Sequence, residues 1–309
     1  MRYQPECVGC SKNQGSRIYR IALGSPPNDE SIPVPGELQA EINQQIDHAD
    51  PCLSPADLGL MAIRTTQRYT HVADPFEALK KEQNQQALAL YPELKQKVTE
   101  SPSPLLTACH LAACGNIIDL GIRDQFDLHE TIEKVLREGF RYNHFSMMLD
   151  EIIALHENGS PVRLLYFCDN AGEIVFDRIF IEALQERFPE LHVTAVVRGA
   201  PVLNDATPVD AREAGLDQIA EVIDNGNERL GTVMAEAGDA LRDAYSQASI
   251  MIAKGQANFE TLSHQPERFY FILKAKCNVV ARELGVNLLD AVMMRSPHAT
   301  ASILAPTCQ

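Results

Sequence analysis

The chain has 309 residues, and at about 150 residues per domain that length predicts two domains or one large one. Apolar residues make up 45%, enough for a sizeable core, while 42 acidic against 27 basic residues leave a formal charge of −15. That balance excludes non-specific affinity for nucleic acid or anionic membranes, since phosphate-rich partners need a basic surface. The absence of Trp, with 6% aromatics, leaves no stacking platform for single strands.

No apolar run approaches the roughly 18 residues of a membrane span. Met1 to Cys10 is mixed and polar, without the basic-then-apolar order of an export signal. The expectation is a cytoplasmic protein whose eight cysteines are reduced and mostly buried.

In chain order, Ser54-Pro55, Asp74-Pro75 and Ser103-Pro104 each place a good N-cap before a proline at the first helical position. Glu77, three residues after Asp74, makes that start resemble a capping box. Phe76, Leu79, Ala87, Leu90 and Leu94 then recur at mostly helical steps. Leu105 to Cys114, Ile132 to Phe140 and Met147 to Leu155 read as further helices, so residues 1–158 are predicted as an all-helical domain.

After His156-Glu157-Asn158-Gly159-Ser160 the pattern changes. Short apolar runs at Val162–Phe167, Leu191–Val197, Ile219–Ile223, Ser249–Ala253 and Tyr270–Leu273 alternate with helical stretches at Ala171–Phe188 and Cys277–Leu284. Apolar runs alternating with helices mark parallel strands covered on both faces. Residues 159–309 are therefore predicted as a Rossmann-like α/β domain.

In such sheets ligands gather beyond the carboxyl ends of the strands. Those ends carry Asp169-Asn170, then Arg198 with Asn204-Asp205, Asp224-Asn225-Gly226, Lys254-Gly255, and Lys274 with Lys276. Any one could be a simple turn or cap; five together point to a site. Asp169-Asn170-Ala171-Gly172-Glu173 is the sharpest. Carboxylate and amide oxygens suit a hard cation such as Mg²⁺ or Mn²⁺, and the small residues open a helix whose amides could receive an anion. Asp205 supplies a second carboxylate, and Lys254 and Asn258 are expected on phosphate oxygens, with Gly255 permitting close approach. Asp224-Asn225 ranks lower, because Gly226 and Asn227 give it a turn-like setting.

The fingerprints of dinucleotide enzymes, P-loop NTPases, serine hydrolases and zincins are absent. Cys7 and Cys10 have zinc-ligand spacing without a matching second pair, and read as structural. His110 reads as a core histidine. Arg64, Arg68 and His71 share a helical stripe and read as a solvated face.

Taken together, Asp169–Glu173, Val197-Arg198-Gly199 through Asn204-Asp205, and Lys254-Gly255-Gln256-Ala257-Asn258 resemble the metal-dependent damage-control phosphatases, also called the acidic-residue-methyltransferase-like family. The likeness extends to Asp74-Pro75-Phe76 with Lys80 and Asn84, to Gly115-Asn116 with Asp119, and to Leu273-Lys274-Ala275-Lys276-Cys277; Cys7-Val8-Gly9-Cys10 resembles the CxxC of the prokaryotic subfamily. The resemblance implies a helical domain against a Rossmann-like one, a divalent cation (Mn, Mg, Co or Ni) held by Asp169, Asn170 and Asp205, and hydrolysis of phosphomonoesters of small metabolites such as sugar phosphates. Asp169 and Lys254 are the expected catalytic residues. Glu173, Arg198, Asn258, Lys276 and Asn116 are the expected substrate contacts, and Asn116 and Asp119 equally suit a helix cap. Alternatives are a carboxyl methyltransferase using S-adenosylmethionine, weakened because hard metal ligands stand where a Gly-rich turn belongs, and a non-catalytic phosphometabolite sensor. Whether Asp169 or water attacks phosphorus, and the oligomeric state, stay open.

Overall fold

The computed structural model describes residues 1–114, 125–266 and 269–296. Among the described residues seven helices precede the first strand: α1 (Pro5–Ala22), α2 (Gly36–Asp47), α3 (Pro55–Thr70), α4 (Glu77–Glu100), α5 (Pro104–Cys114), α6 (Gln125–Glu138) and α7 (Phe145–Glu157). There follow β1 (Arg163–Phe167), α8 (Glu173–Arg187), β2 (His192–Val197), α9 (Pro208–Glu213), β3 (Glu221–Asp224), α10 (Asp239–Gln247), β4 (Ile250–Lys254), α11 (Gln256–Leu262), β5 (Phe269–Lys274), α12 (Asn278–Leu284) and β6 (Ala291–Arg295).

The strands form one sheet in the order β3-β2-β1-β4-β5-β6. The first five are parallel, and β6 runs antiparallel beside β5, with Lys274 opposite Ala291. This is the doubly wound arrangement that the alternating apolar runs predict. The antiparallel sixth strand is additional.

The pleat sends alternate residues to opposite faces, and the two cores follow that alternation. Leu164, Tyr166, Ile252, Tyr270 and Ile272 pack with Leu90, Leu94, Leu111 and Met148 from α4, α5 and α7, and with α8. Leu165, Phe167, Ala253, Phe269 and Phe271 pack with Cys7, Leu38, Ile42 and Leu58 from α1–α3, and with α10–α12. The boundary near residue 158 falls in the turn between α7 and β1, yet each large core draws on residues from both sides of it. The helical half thus packs as two layers, one on each face of the sheet.

Ser54 caps α3 through the reciprocal bonds of a capping box with Asp57. Asp74 departs from expectation: α4 begins at Glu77 without a side-chain cap, and the Asp74 carboxylate pairs with Lys80 at 2.7 Å. Its other oxygen, Oδ1, accepts from Phe76 N at 3.0 Å, so the carboxylate holds the turn before α4 and the buried ammonium at once. Cys7, Cys10, Cys109, Cys114, Cys168 and Cys277 are free thiols, whereas Cys52 is disulfide-bonded, which corrects the all-reduced reading. Its sulfur sits in the half-buried segment before α3, without the core burial that shields Cys109 and Cys168. Among the described residues no helix is long and apolar enough to cross a membrane.

Candidate functional site

From β1 the chain moves outward to β2 and β3, then returns to the other side of β1 for β4. The helices leaving β1 and β4 diverge, and the crevice beyond those two strand ends is where open α/β sheets bind ligands. Asp169 and Asn170 follow β1 there, and Lys254 and Gly255 stand at the end of β4.

The loop after β2 is stitched back onto the end of β1. Ala171 N donates to Asn204 O at 2.9 Å, Ala206 N to Asp169 O at 2.8 Å, and Arg198 N to Ala206 O at 2.9 Å. Asn170 and Asp205 form an isolated antiparallel bridge. Thirty-six positions apart in sequence, Asp169 and Asp205 therefore share one guanidinium, that of Arg198. Its Nε donates to Asp205 Oδ2 at 2.5 Å, and its Nη2 lies 3.6 Å from Asp169 Oδ1. Nη1 is spent on Thr232 Oγ1 and Asn258 Oδ1, while Nη2 makes no hydrogen bond although it is buried. Asn170 Nδ2 donates to Asp169 Oδ2 at 3.0 Å and Glu173 Oε2 at 3.3 Å.

Lys254 is fully buried, and its ammonium donates to Ala112 O at 2.7 Å, Glu173 Oε1 at 2.5 Å and Asp177 Oδ1 at 2.6 Å. An ammonium has three hydrogens, and all three are used inside the protein. The expectation that Lys254 contacts phosphoryl oxygens is thus corrected: Glu173 and Asp177, one turn apart on α8, draw it inward. Burial alone would lower the Lys254 pKa, but Asp177 and Glu173 outweigh it and the net direction is up. Burial pushes Glu173 up to about 8 and raises Asp177, with Lys254 opposing both shifts.

Asp169, Glu173, Asp177 and Asp205 bring four carboxylates to this connected network against two cations, Lys254 and Arg198. Burial raises the pKa of both Glu173 and Asp177, and Lys254 holds these two carboxylates together behind Asp169 and Asn170. Oxygen donors from Asp169, Asn170 and Asp205 suit Mg²⁺ or Mn²⁺. Among the described residues no three His, Cys, Asp or Glu side chains form a group that could hold a metal ion.

The remaining expected residues divide. Asn258 is buried with every polar atom engaged: Nδ2 donates to Cys168 O and Lys254 O, and Oδ1 accepts from Arg198 and Thr232. It braces the crevice from behind. Gly255 permits close approach of the Asp169 carboxylate rather than of a ligand. The Ala171 and Gly172 amides are engaged by Asn204 O and Asn84 Oδ1, which removes them from the expected anion cradle. Lys276 is exposed at the rim, its backbone N donating to Gln256 Oε1. Asn225 ties the Gly199 and Gly231 loops together, and Asp224 caps Gly226, so the third strand end is structural. Asn116 and Asp119 lie outside the described residues. His110 is buried against Phe140, with ring centroids 4.6 Å apart.

Asp177, Thr232 and Gln83 join the site without having been anticipated there, and Asn84, which the sequence offers only as part of the family likeness, joins it as well. Asp177 had a readable signal, for Glu173 and Asp177 are two acids four residues apart that flank the apolar run Ile174–Phe176 at the start of α8. The others reach in from distant segments.

A family model described as "Damage-control phosphatase ARMT1-like domain" matches residues 5–292. A protein of Archaeoglobus fulgidus named "Damage-control phosphatase" is 36% identical over 72% of this chain and 75% of its own. "Damage-control phosphatase PH1575" of Pyrococcus horikoshii is 33% identical over 96% of this chain and 99% of its own. The crystal structure of that DUF89 family protein superimposes with a TM-score of 0.82 at 28% identity, covering 96% of this chain and 100% of the other.

Proposed function

We propose, starting from the fact that this chain belongs to the damage-control phosphatase ARMT1-like family, that it hydrolyses phosphomonoesters of small metabolites using a divalent cation. One observation carries this reading: Asp169 and Asn170, at the end of β1, and Asp205, in the loop after β2, converge beside the buried Arg198 guanidinium.

Asp169, Asn170 and Asp205 would hold the ion. When bound, it supplies positive charge against phosphoryl oxygens and so offsets the charge that develops as the ester bond breaks. Arg198 performs two tasks. Nε fixes the orientation of Asp205, and Nη2, without a hydrogen bond, is the donor left for a phosphoryl oxygen. Thr232 and Asn258 hold the guanidinium plane through Nη1. Lys254 is a positioning residue, securing Glu173 and through it Asn170. Lys276 at the exposed rim suits the non-transferred part of an anionic substrate. Overall, water and a phosphomonoester give an alcohol and inorganic phosphate.

The test is turnover of p-nitrophenyl phosphate and a panel of sugar phosphates by the chelated protein, alone and with Mg²⁺, Mn²⁺, Co²⁺ or Ni²⁺. Hydrolysis that appears only with added ion supports the proposal. No hydrolysis with any ion contradicts it, and ion-independent hydrolysis contradicts the metal.

A further inference from the structure

We propose that Asn84, on α4, is a positioning residue that fixes the two ligand-bearing loops relative to each other; this rests on the metal site proposed above. Asn84 is buried, and each of its side-chain hydrogen bonds leaves its own helix. Oδ1 accepts from Gly172 N at 2.7 Å, in the turn that follows Asp169 and Asn170. Nδ2 donates to Asp210 Oδ1 at 3.1 Å and Glu213 Oε2 at 2.9 Å, on α9.

Asp210 continues the chain of contacts. Its Oδ2 accepts from Thr207 N at 2.8 Å and Thr207 Oγ1 at 2.6 Å, two residues beyond Asp205. One carboxamide therefore spans the end of β1 and the segment after Asp205. Lys80, one turn earlier on α4, stands 3.6 Å from Asp210 and 2.7 Å from Asp74, so an ammonium offsets part of the negative charge at the acidic end of the brace.

Close packing backs the hydrogen bonds. Gly172 has φ +74°, and a Cβ there would fall 3.1 Å from Gln83 Cβ and 3.2 Å from Gln83 O. The turn thus rests directly on α4 and needs glycine to do so. Gln83 is buried beside it with Oε1 unpartnered. The apolar face of α4, with Ala87, Leu90 and Leu94, packs into the core independently of Asn84. Loss of the amide should therefore loosen the two loops without releasing the helix.

Partners behind metal ligands typically contribute about 10–100-fold in metal affinity. The experiment titrates Mn²⁺ into the full chain, following free Mn²⁺ by EPR, for wild type, Asn84→Ala and Asn84→Asp, alongside circular dichroism and p-nitrophenyl phosphate kinetics. Asn84→Ala is expected to keep its fold, bind Mn²⁺ about tenfold or more weakly, and lose kcat at saturating Mn²⁺ with KM little changed. Asn84→Asp retains the Gly172 bond but sets a carboxylate against Asp210 and Glu213, and should bind more weakly still. The triple variant Asn84→Asp, Asp210→Asn, Glu213→Gln restores donor–acceptor pairs at both contacts and should recover affinity, as should, in part, the double variant Asn84→Asp, Asp210→Asn; this arm decides the matter if Asn84→Ala fails to fold. Unchanged affinity and kcat in a folded Asn84→Ala, or no recovery in the triple variant, overturns the positioning role alone. No Mn²⁺ binding by the wild type overturns the metal site and the brace together.

Discussion

The carboxylate of Asp169 occupies the space that a side chain on Gly255 would need. A Cβ on Gly255 would fall 1.9 Å from Asp169 Oδ2 and 2.0 Å from its Cγ, and the glycine has φ +80°, which L side chains rarely adopt. The strand end β4 thus approaches β1 as closely as it does only because residue 255 has no side chain.

Gly255→Ala follows from that contact. The left-handed backbone costs alanine about 1–2 kcal/mol, and overpacking adds about 1–3 kcal/mol. The variant should lose stability in urea unfolding. In any fraction that folds, displacement of Asp169 should weaken Mn²⁺ binding. Wild-type stability and wild-type binding together would refute the tight contact.

Lys254→Met should act first on stability. The substitution leaves Glu173 and Asp177 facing each other without their shared ammonium, and breaking a buried pair this way costs about 3–5 kcal/mol. Urea midpoints should fall steeply, and Lys254→Met combined with Glu173→Gln should regain part of the loss. A Lys254→Met protein of wild-type stability with kcat alone reduced would mean that the ammonium faces the substrate.

Glu260 gives the stability a pH slope. Burial pushes its pKa from 4.5 up to about 7, against the lowering effect of its bond from Gln256. Between those values the folded chain holds a proton that the unfolded chain releases. Stability from this group is full below about 4.5, falls as pH rises through the window to about 7, and is flat above. Glu260→Gln keeps an acceptor for Gln256 Nε2 and removes the titration. It should raise the midpoint at pH 8 by roughly 3 kcal/mol at most and change little at pH 4.5. An equal effect at both values would assign the change to packing.

Strand positions were legible because parallel strands covered on both faces must be apolar throughout, as in Leu164–Phe167 and Ile250–Ala253. α1 and α2 were not, since Gly9 and Gly15 lie inside the first and the second opens after Pro35 with Gly36. α11 hid behind Asn258 and Glu260, polar residues that are buried where an apolar core stripe would be expected. Asp169, Asn170 and Asp205 could be read from strand ends, because topology alone brings strand ends together. The direction of Lys254 could not, as it depends on two carboxylates some 80 residues earlier. Asn84 is joined to Gly172 across 88 residues, a separation that no local pattern encodes.

The most direct test of the account is a calorimetric Mn²⁺ titration of the chelated wild type, Asp169→Asn and Asp205→Asn, each checked for fold by circular dichroism. The wild type should bind one ion per chain at this site. Each asparagine variant keeps the shape of the side chain but loses an anionic oxygen, so it should stay folded and bind at least about tenfold more weakly, with ion-dependent hydrolysis of p-nitrophenyl phosphate falling in parallel. Wild-type Mn²⁺ affinity in both folded variants would contradict the assignment of Asp169 and Asp205 as the ligands.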